Sequence, residues 1–199
     1  RSVVGTNVGI GSQGILMDDT EAQKQSYLPR LASGELIGSF CLTEPEAGSD
    51  AASVRTKATK DGDHYVLNGT KRYITNARRA GIFTVMARSE PDIPGARGIS
   101  SFIVEADTPG VSVGAAEKKM GQRGAHISDV VFDNARVPAS AIIGGEPGQG
   151  FITAMKVLDR GRLHISSVCI GAAQRLIHDA LAYSGERKQF GKAIGEFQL

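Results

Sequence analysis

The apolar residues of this chain change their spacing twice, and that alternation constrains the fold more than any single motif. Over residues 20–31, Ala22, Tyr27, Leu28 and Leu31 fall at helical intervals. Thr20 and Gln23 form a capping-box pair at the start, and Ser33-Gly34 supplies a stop. Over residues 37–143 the apolar runs become short and β-like. The run 36–42 is the first. Asp61-Gly62 and Asn68-Gly69 bracket residues 64–67, and both dipeptides suit the positive φ of hairpin turns. Residues 73–75, 82–87, 101–104, 111–113 and 130–132 are further strand candidates, with turns expected at Pro94-Gly95 and Pro109-Gly110. Strands at this spacing predict a barrel or a sandwich. The glycine-rich segment 144–150 reads as a flexible linker. Helical spacing returns over 151–183, where Ile152, Met155, Leu158, Ile165, Val168, Ala172, Leu176, Ala180 and Tyr183 follow one stripe. The prediction is a multi-domain α+β chain: a helical segment over 1–36, a β domain over 37–143 and a helical part over 144–199.

Composition narrows the function. Lys and Arg number 23 against 21 Asp and Glu, and a net charge of +2 gives no electrostatic footprint for nucleic acid. Apolar residues make up 41% of the 199, enough to bury a sizeable core. No apolar stretch approaches the ~18 residues that a bilayer crossing needs, and no basic-then-apolar stretch reads as a secretory leader. Cys41 and Cys169 have no close partner in sequence, which suits a reducing compartment. The sequence opens on Arg1 rather than Met, and no helix stop signal precedes Leu199. The expectation is a piece of a longer protein.

Two familiar patterns lack their context. Gly9-Ile10-Gly11-Ser12-Gln13-Gly14 spells the dinucleotide fingerprint, but a new helix begins at Thr20 and leaves no room for a strand–helix–strand crossover. Gly110-Val111-Ser112-Val113-Gly114 spells a nucleophile elbow, yet Ser112 sits between two valines in a β-like run. The four histidines stand apart, and no H-x-x-x-H, C-x-x-C or G-K-[ST] occurs, so neither a metal site nor a P-loop is expected.

Two features point to chemistry. Phe40-Cys41-Leu42-Thr43-Glu44-Pro45-Glu46-Ala47-Gly48-Ser49-Asp50 runs an apolar strand into a polar, glycine-bearing turn. Such a turn is either a tight connection with a helix cap at Ser49 or Asp50, or a nest of N–H groups for a phosphate. Arg162 interrupts the apolar stripe of the last helix. It either snorkels and pairs with Asp159, or faces a cleft and meets a polar or anionic ligand.

Several segments, in order and across nearly the whole chain, resemble the acyl-CoA dehydrogenase family. The segment 40–50 is similar to its flavin signature. Tyr65-Val66-Leu67-Asn68-Gly69-Thr70-Lys71-Arg72-Tyr73-Ile74-Thr75-Asn76 resembles its second flavin-contacting strand pair. Met120-Gly121-Gln122-Arg123-Gly124, the stretch 131–138, and Arg187-Lys188-Gln189-Phe190-Gly191-Lys192 with Gln198 also match. The resemblance implies the end of an N-terminal helical domain, a middle antiparallel β-barrel or sandwich domain and the start of a C-terminal four-helix bundle. It implies FAD held by Phe40, Leu42, Thr43, Gly48, Ser49, Tyr73, Ile74 and Thr75, with the Thr75 hydroxyl near flavin N5. Tyr73 stands where many relatives have Trp. Arg187, Gln189, Phe190 and Gln198 are expected to reach the FAD of a neighbouring subunit in a homo-oligomer, a dimer or tetramer. Ser49, Asp159 and Arg162 are expected to contact the acyl-CoA substrate.

The reaction so implied is α,β-dehydrogenation of an acyl-CoA thioester in fatty-acid β-oxidation, with electrons passed to an electron-transfer flavoprotein. The setting is the bacterial cytoplasm or the mitochondrial matrix. No catalytic base is assignable in the chain: the usual Glu is expected beyond Leu199, and the family's alternative position is Gly161. The alternatives within the implied fold are an acyl-CoA oxidase, a flavin monooxygenase, or a non-catalytic fragment or assembly protein that retains the fold.

Overall fold

The computed structural model describes residues 2–198; Arg1 and Leu199, on which the expectation of a longer chain rests, lie outside them. The chain forms two compact units, Arg1–Arg160 and Gly161–Leu199.

The first unit opens with helices α1 (Ser2–Thr6), α2 (Gln13–Asp18) and α3 (Glu21–Ser33), with a π turn over Asn7–Gly11. Thr20 caps α3 as expected: its Oγ1 accepts the Gln23 N–H at 3.3 Å, and Gly34 ends the helix at φ 79°. The false fingerprint lies in the π turn and α2. Its Gly11 is required by packing, because a Cβ there would sit 2.3 Å from the Gly38 carbonyl oxygen.

Seven strands follow: β1 (Gly38–Cys41), β2 (Lys57–Asp61), β3 (His64–Thr75), β4 (Ile82–Arg88), β5 (Ile99–Glu105), β6 (Val111–Val113) and β7 (Ile127–Pro138). They form one sheet in the order β1-β4-β2-β3-β7-β6, with β5 on β4. The sheet curls into a half-barrel. Pairing is mainly antiparallel, but β1 and β2 run parallel to β4. The core inside the curl holds Phe83, Phe102, Phe132, Leu67 and Tyr65. Strands β4 and β5 are buried on both faces, which explains their continuous apolar runs. A second cluster of Ile15, Leu31, Leu36, Ile82, Ile103 and Ile143 joins helices α2 and α3 to the sheet.

Three expectations need correcting. Asn68-Gly69 is not a turn: β3 runs through it without a break, and of the two dipeptides it is Asp61-Gly62 that turns a hairpin, between β2 and β3. The pair instead meets a bulge in β7, where Asn134 (φ 53°) gives its N–H to the Asn68 Oδ1 at 2.9 Å. Gly69 lies so close to Thr56, the residue before β2, that a Cβ would meet its Oγ1 at 2.5 Å. Strand β2 itself was not anticipated, because Lys-Ala-Thr-Lys-Asp buries only Ala58 and offers no apolar pattern. Third, segment 144–150 is pinned: Gly144 N–H donates to Asp19, Gly145 N–H to the Ile142 carbonyl and Gly148 N–H to the Ser100 Oγ. Its glycines serve φ values of 75–84°, not mobility.

Helix α4 (Gly150–Glu186) begins in the first unit. There its small residues Gly150, Thr153, Ala154 and Val157 are the buried ones, whereas Ile152 of the expected stripe is exposed. Asp18 anchors this start, accepting from Thr153 Oγ1 at 2.6 Å and from Lys156 Nζ at 2.7 Å. In the second unit the helix carries exposed Leu163, Ile165, Ile170, Leu176, Ile177 and Leu181. A short hairpin follows, β8 (Lys188–Gln189) against β9 (Lys192–Ala193).

Asp19 gives the first unit a pH dependence. It is buried, its Oδ1 accepts from the N–H of Thr20 and of Gly144, and its Oδ2 has no hydrogen-bond partner. Burial raises its pKa from 3.8 to about 6. The folded state therefore holds its proton more tightly than the unfolded chain. The stability this gives is complete below about 3.8 and is lost as pH rises through about 6. Asp19→Asn keeps the Oδ1 acceptor and removes the buried charge. At neutral pH it should gain about 1–2 kcal/mol, the ionisation cost less the burial of an unpaired amide. Urea unfolding across this pH range should show the wild-type slope flattened in the variant.

Candidate functional site

The site is built where the end of β1 meets the end of β3. Two hydrogen bonds tie these segments: Ser39 Oγ donates to the Thr75 carbonyl at 2.8 Å, and Arg72 N–H donates to the Thr43 carbonyl at 2.8 Å. They bring together Phe40, Leu42 and Thr43 from one segment and Tyr73, Ile74 and Thr75 from the other. The Leu42 and Ile74 side chains are buried in the core. Phe40, Thr43 and Thr75 are half-buried, and Tyr73 is exposed.

The exposure of Tyr73 has a backbone cause. Residues Lys71 and Ile74 pair with Val130 and Ser128, so β3 carries one more residue than β7 at this point. This is a β-bulge, and Tyr73 sits in it at φ 58°, in the left-handed region that a bulky residue rarely adopts. Asp129 of β7 holds the bulge. It accepts from Arg72 Nη2 at 3.1 Å and lies 3.4 Å from the Tyr73 N–H. The Arg72 guanidinium lies 5.6 Å from the centre of the Tyr73 ring. Asn76, also at positive φ, gives its N–H to the His126 carbonyl and closes the strand.

After Thr43 the chain makes a tight turn in which Glu44 and Ala47 exchange backbone hydrogen bonds at 2.9 and 3.3 Å. Gly48 and Ser49 then lie exposed, and a Cβ on Gly48 would meet nothing within 4 Å. Asp50 stands at the N-cap of a three-residue 3-10 turn, Ala51–Ser53, without a side-chain cap.

Beneath this surface lies an ion pair that sequence reasoning missed. Lys71 is fully buried, and its Nζ donates to Glu44 Oε1 at 2.7 Å and to the Leu42 carbonyl at 3.1 Å. The Glu44 carboxylate also accepts the N–H of Arg55 at 2.6 Å and of Thr56 at 2.9 Å. Burial pulls the Lys71 pKa below the usual lysine range, partly offset by Glu44. Burial pushes the Glu44 carboxyl up, but Lys71 and the two backbone N–H groups outweigh it and hold the pKa below its ordinary value. The signal was strand parity: Tyr65, Leu67 and Lys71 share the inward face. Reading Asn68-Gly69 as a turn hid it.

Arg187 precedes β8, Gln189 lies in it, and Phe190 with Gly191 forms the tight turn at φ 51° and 82°. Phe190 is almost fully exposed, and Gln198 is exposed as well. Asp159 and Arg162 are exposed on α4, three residues apart. Both cysteines are free, Cys41 buried and Cys169 exposed. Among the described residues no cluster of three or more His, Cys, Asp or Glu is arranged to hold a metal, and no helix is long and apolar enough to cross a membrane.

A curled sheet followed by a long helix, with a strained aromatic edge beside a glycine-bearing turn, defines a class of fold that comparison with known proteins identifies. The acyl-CoA dehydrogenase middle domain matches residues 39–135, and the C-terminal domain of the same enzymes matches residues 148–199. The chain belongs to the acyl-CoA dehydrogenase family. It is 46% identical over 189 residues to "Probable acyl-CoA dehydrogenase fadE25" of Mycobacterium bovis, a match spanning 95% of this chain and 48% of that protein. Butyryl-CoA dehydrogenase from Megasphaera elsdenii superposes with a TM-score of 0.92 at 40% identity, over 98% of this chain and 51% of the other. An acyl-CoA dehydrogenase from Bacillus anthracis, solved with FAD, gives 0.89 at 40% identity, over 97% and 32%. The chain thus spans about half the length of these curated relatives.

Proposed function

We propose that the protein carrying this chain is an FAD-dependent acyl-CoA dehydrogenase that removes hydrogen across Cα–Cβ of an acyl-CoA thioester and hands electrons to an electron-transfer flavoprotein. The observation that carries the reading is the double tie between β1 and β3. It sets Thr43, Tyr73 and Thr75, matched from two separate motifs, on one edge. The residues fit a flat cofactor with a diphosphate tail. An exposed aromatic ring held in a strained bulge stands here with half-buried hydroxyls and an open Gly48-Ser49 turn. FAD, when bound, supplies a hydride acceptor.

On this reading Phe40, Thr43, Gly48, Ser49, Tyr73 and Thr75 hold the cofactor directly, and Leu42 and Ile74 do so through their backbone. Arg187, Gln189, Phe190 and Gln198 contact the FAD of a neighbouring subunit in a homo-oligomer. Ser49, Asp159 and Arg162 bind acyl-CoA. Gly161 has no ionisable side chain, so the base that takes the α proton is a carboxylate outside these residues. The compartment is a reducing one, in keeping with two free thiols.

The test is anaerobic titration of the purified full-length protein with acyl-CoA. The expected result is a bound flavin whose visible absorbance bleaches, with release of the enoyl-CoA and reoxidation by an electron-transfer flavoprotein. A preparation that takes up no FAD overturns the proposal. Rapid reoxidation by oxygen replaces it with an oxidase or monooxygenase.

A further inference from the structure

Accepting that flavin reading, we propose that Lys71 and Glu44 act as a positioning pair, fixing the 42–50 turn against the Tyr73-to-Thr75 strand end before the cofactor arrives. Lys71 precedes the bulge by one residue, and both of its hydrogen bonds run to the segment 42–44. Glu44 carries the restraint onward to the N–H groups of Arg55 and Thr56, beyond the exposed Gly48-Ser49. Three stretches of chain are therefore joined through one ammonium and one carboxylate. With both side chains almost completely out of solvent, every tie is directional.

Stability alone does not account for such a pair. Desolvating two charges costs about what their attraction returns, and apolar residues of similar volume often serve as well. Apolar packing, however, would not fix the register of Thr43 against Arg72. The pair does so because its acceptors are a backbone carbonyl one residue before Thr43 and a side chain one residue after it. Neither residue is exposed at the cofactor edge. Their action is through Thr43 and Tyr73.

The experiment uses the full-length protein isolated with FAD, its double variant Lys71→Met with Glu44→Gln, and Glu44→Gln alone. The double variant should fold, by far-UV circular dichroism and a cooperative urea transition. It should bind FAD about tenfold more weakly and show altered flavin absorption bands. It should also lose on the order of 10- to 100-fold in kcat with KM for acyl-CoA little changed, because misplacement by an ångström costs turnover more than binding. Glu44→Gln alone, which keeps the Lys71 tie to the Leu42 carbonyl, should lie between. A folded double variant with wild-type FAD affinity, spectrum and kcat overturns the positioning role. Should both variants fail to fold, amide exchange in the wild type decides. Preorganisation requires the N–H groups of Arg55, Thr56 and Arg72 to stay protected after FAD is stripped, and their release to solvent overturns it. A wild type that takes up no FAD fails differently, since it removes the flavin reading itself.

Discussion

Lys71→Met alone is expected to destabilise the protein by about 3–5 kcal/mol, because it leaves the Glu44 carboxylate buried without its counter-charge. The sign follows from the geometry. Met fills the space of the lysine stem but donates nothing to Glu44 Oε1 or to the Leu42 carbonyl. The carboxylate keeps two backbone N–H donors, which favour its charge, but without the lysine burial is opposed less and its pKa rises. The variant should therefore recover part of its loss as pH falls. Adding Glu44→Gln should return about 1–2 kcal/mol, less than the full loss, because the amide can accept only one of the two N–H bonds. Urea midpoints of the four proteins form the cycle that measures this. Equal losses for the single and double variants would show that the charge is not what matters.

Two glycines of α4 should respond to alanine with opposite signs. Gly150 begins the helix against β5, where a Cβ would lie 2.2 Å from the Ser100 carbonyl carbon and 2.4 Å from the Ser101 nitrogen. Both neighbours are backbone of a strand buried on both faces, so neither can yield cheaply. Gly150→Ala should cost about 3 kcal/mol or more and shift the helix start away from the sheet. Gly171 lies in the same helix with nothing within 4 Å of the added methyl. There alanine removes only the entropy of glycine, and a gain of about 0.5–1 kcal/mol is expected. Thermal or urea unfolding separates the two. A tolerated Gly150→Ala would mean that α4 does not seat on β5 as described.

What was legible in the sequence followed from strong local signals. The α3 cap at Thr20, the stop at Gly34, the hairpin at Asp61-Gly62 and the apolar runs of β4 and β5 each rest on chemistry that a few neighbouring residues decide. The edge between Thr43 and Tyr73 was reached through resemblance, since nothing local requires residues 43 and 72 to meet. The misreadings share another cause. Asn68-Gly69 has the composition of a turn but answers to Asn134 and Thr56, which are distant in sequence. Strand β2 has no apolar alternation because most of it faces solvent. Ile152 belongs to the helical stripe by spacing, yet the small residues beside it fit the sheet more closely. In each case tertiary contact overrode local preference.

Strand β3 offers one more lesson. Up to Lys71 its buried residues are odd-numbered; past the bulge the buried one is Ile74, an even-numbered residue. The extra residue at the bulge is a change of phase, which allows a sunken ammonium and an outward phenol to stand two positions apart on one strand. Deleting Arg72 would erase that change: the tyrosine would fall opposite Asp129, in plain alternation between the inward Lys71 and Ile74, and lose the positive φ that the bulge gives it. The spare residue is thus what sets the phenol at a backbone angle that plain alternation would not give it.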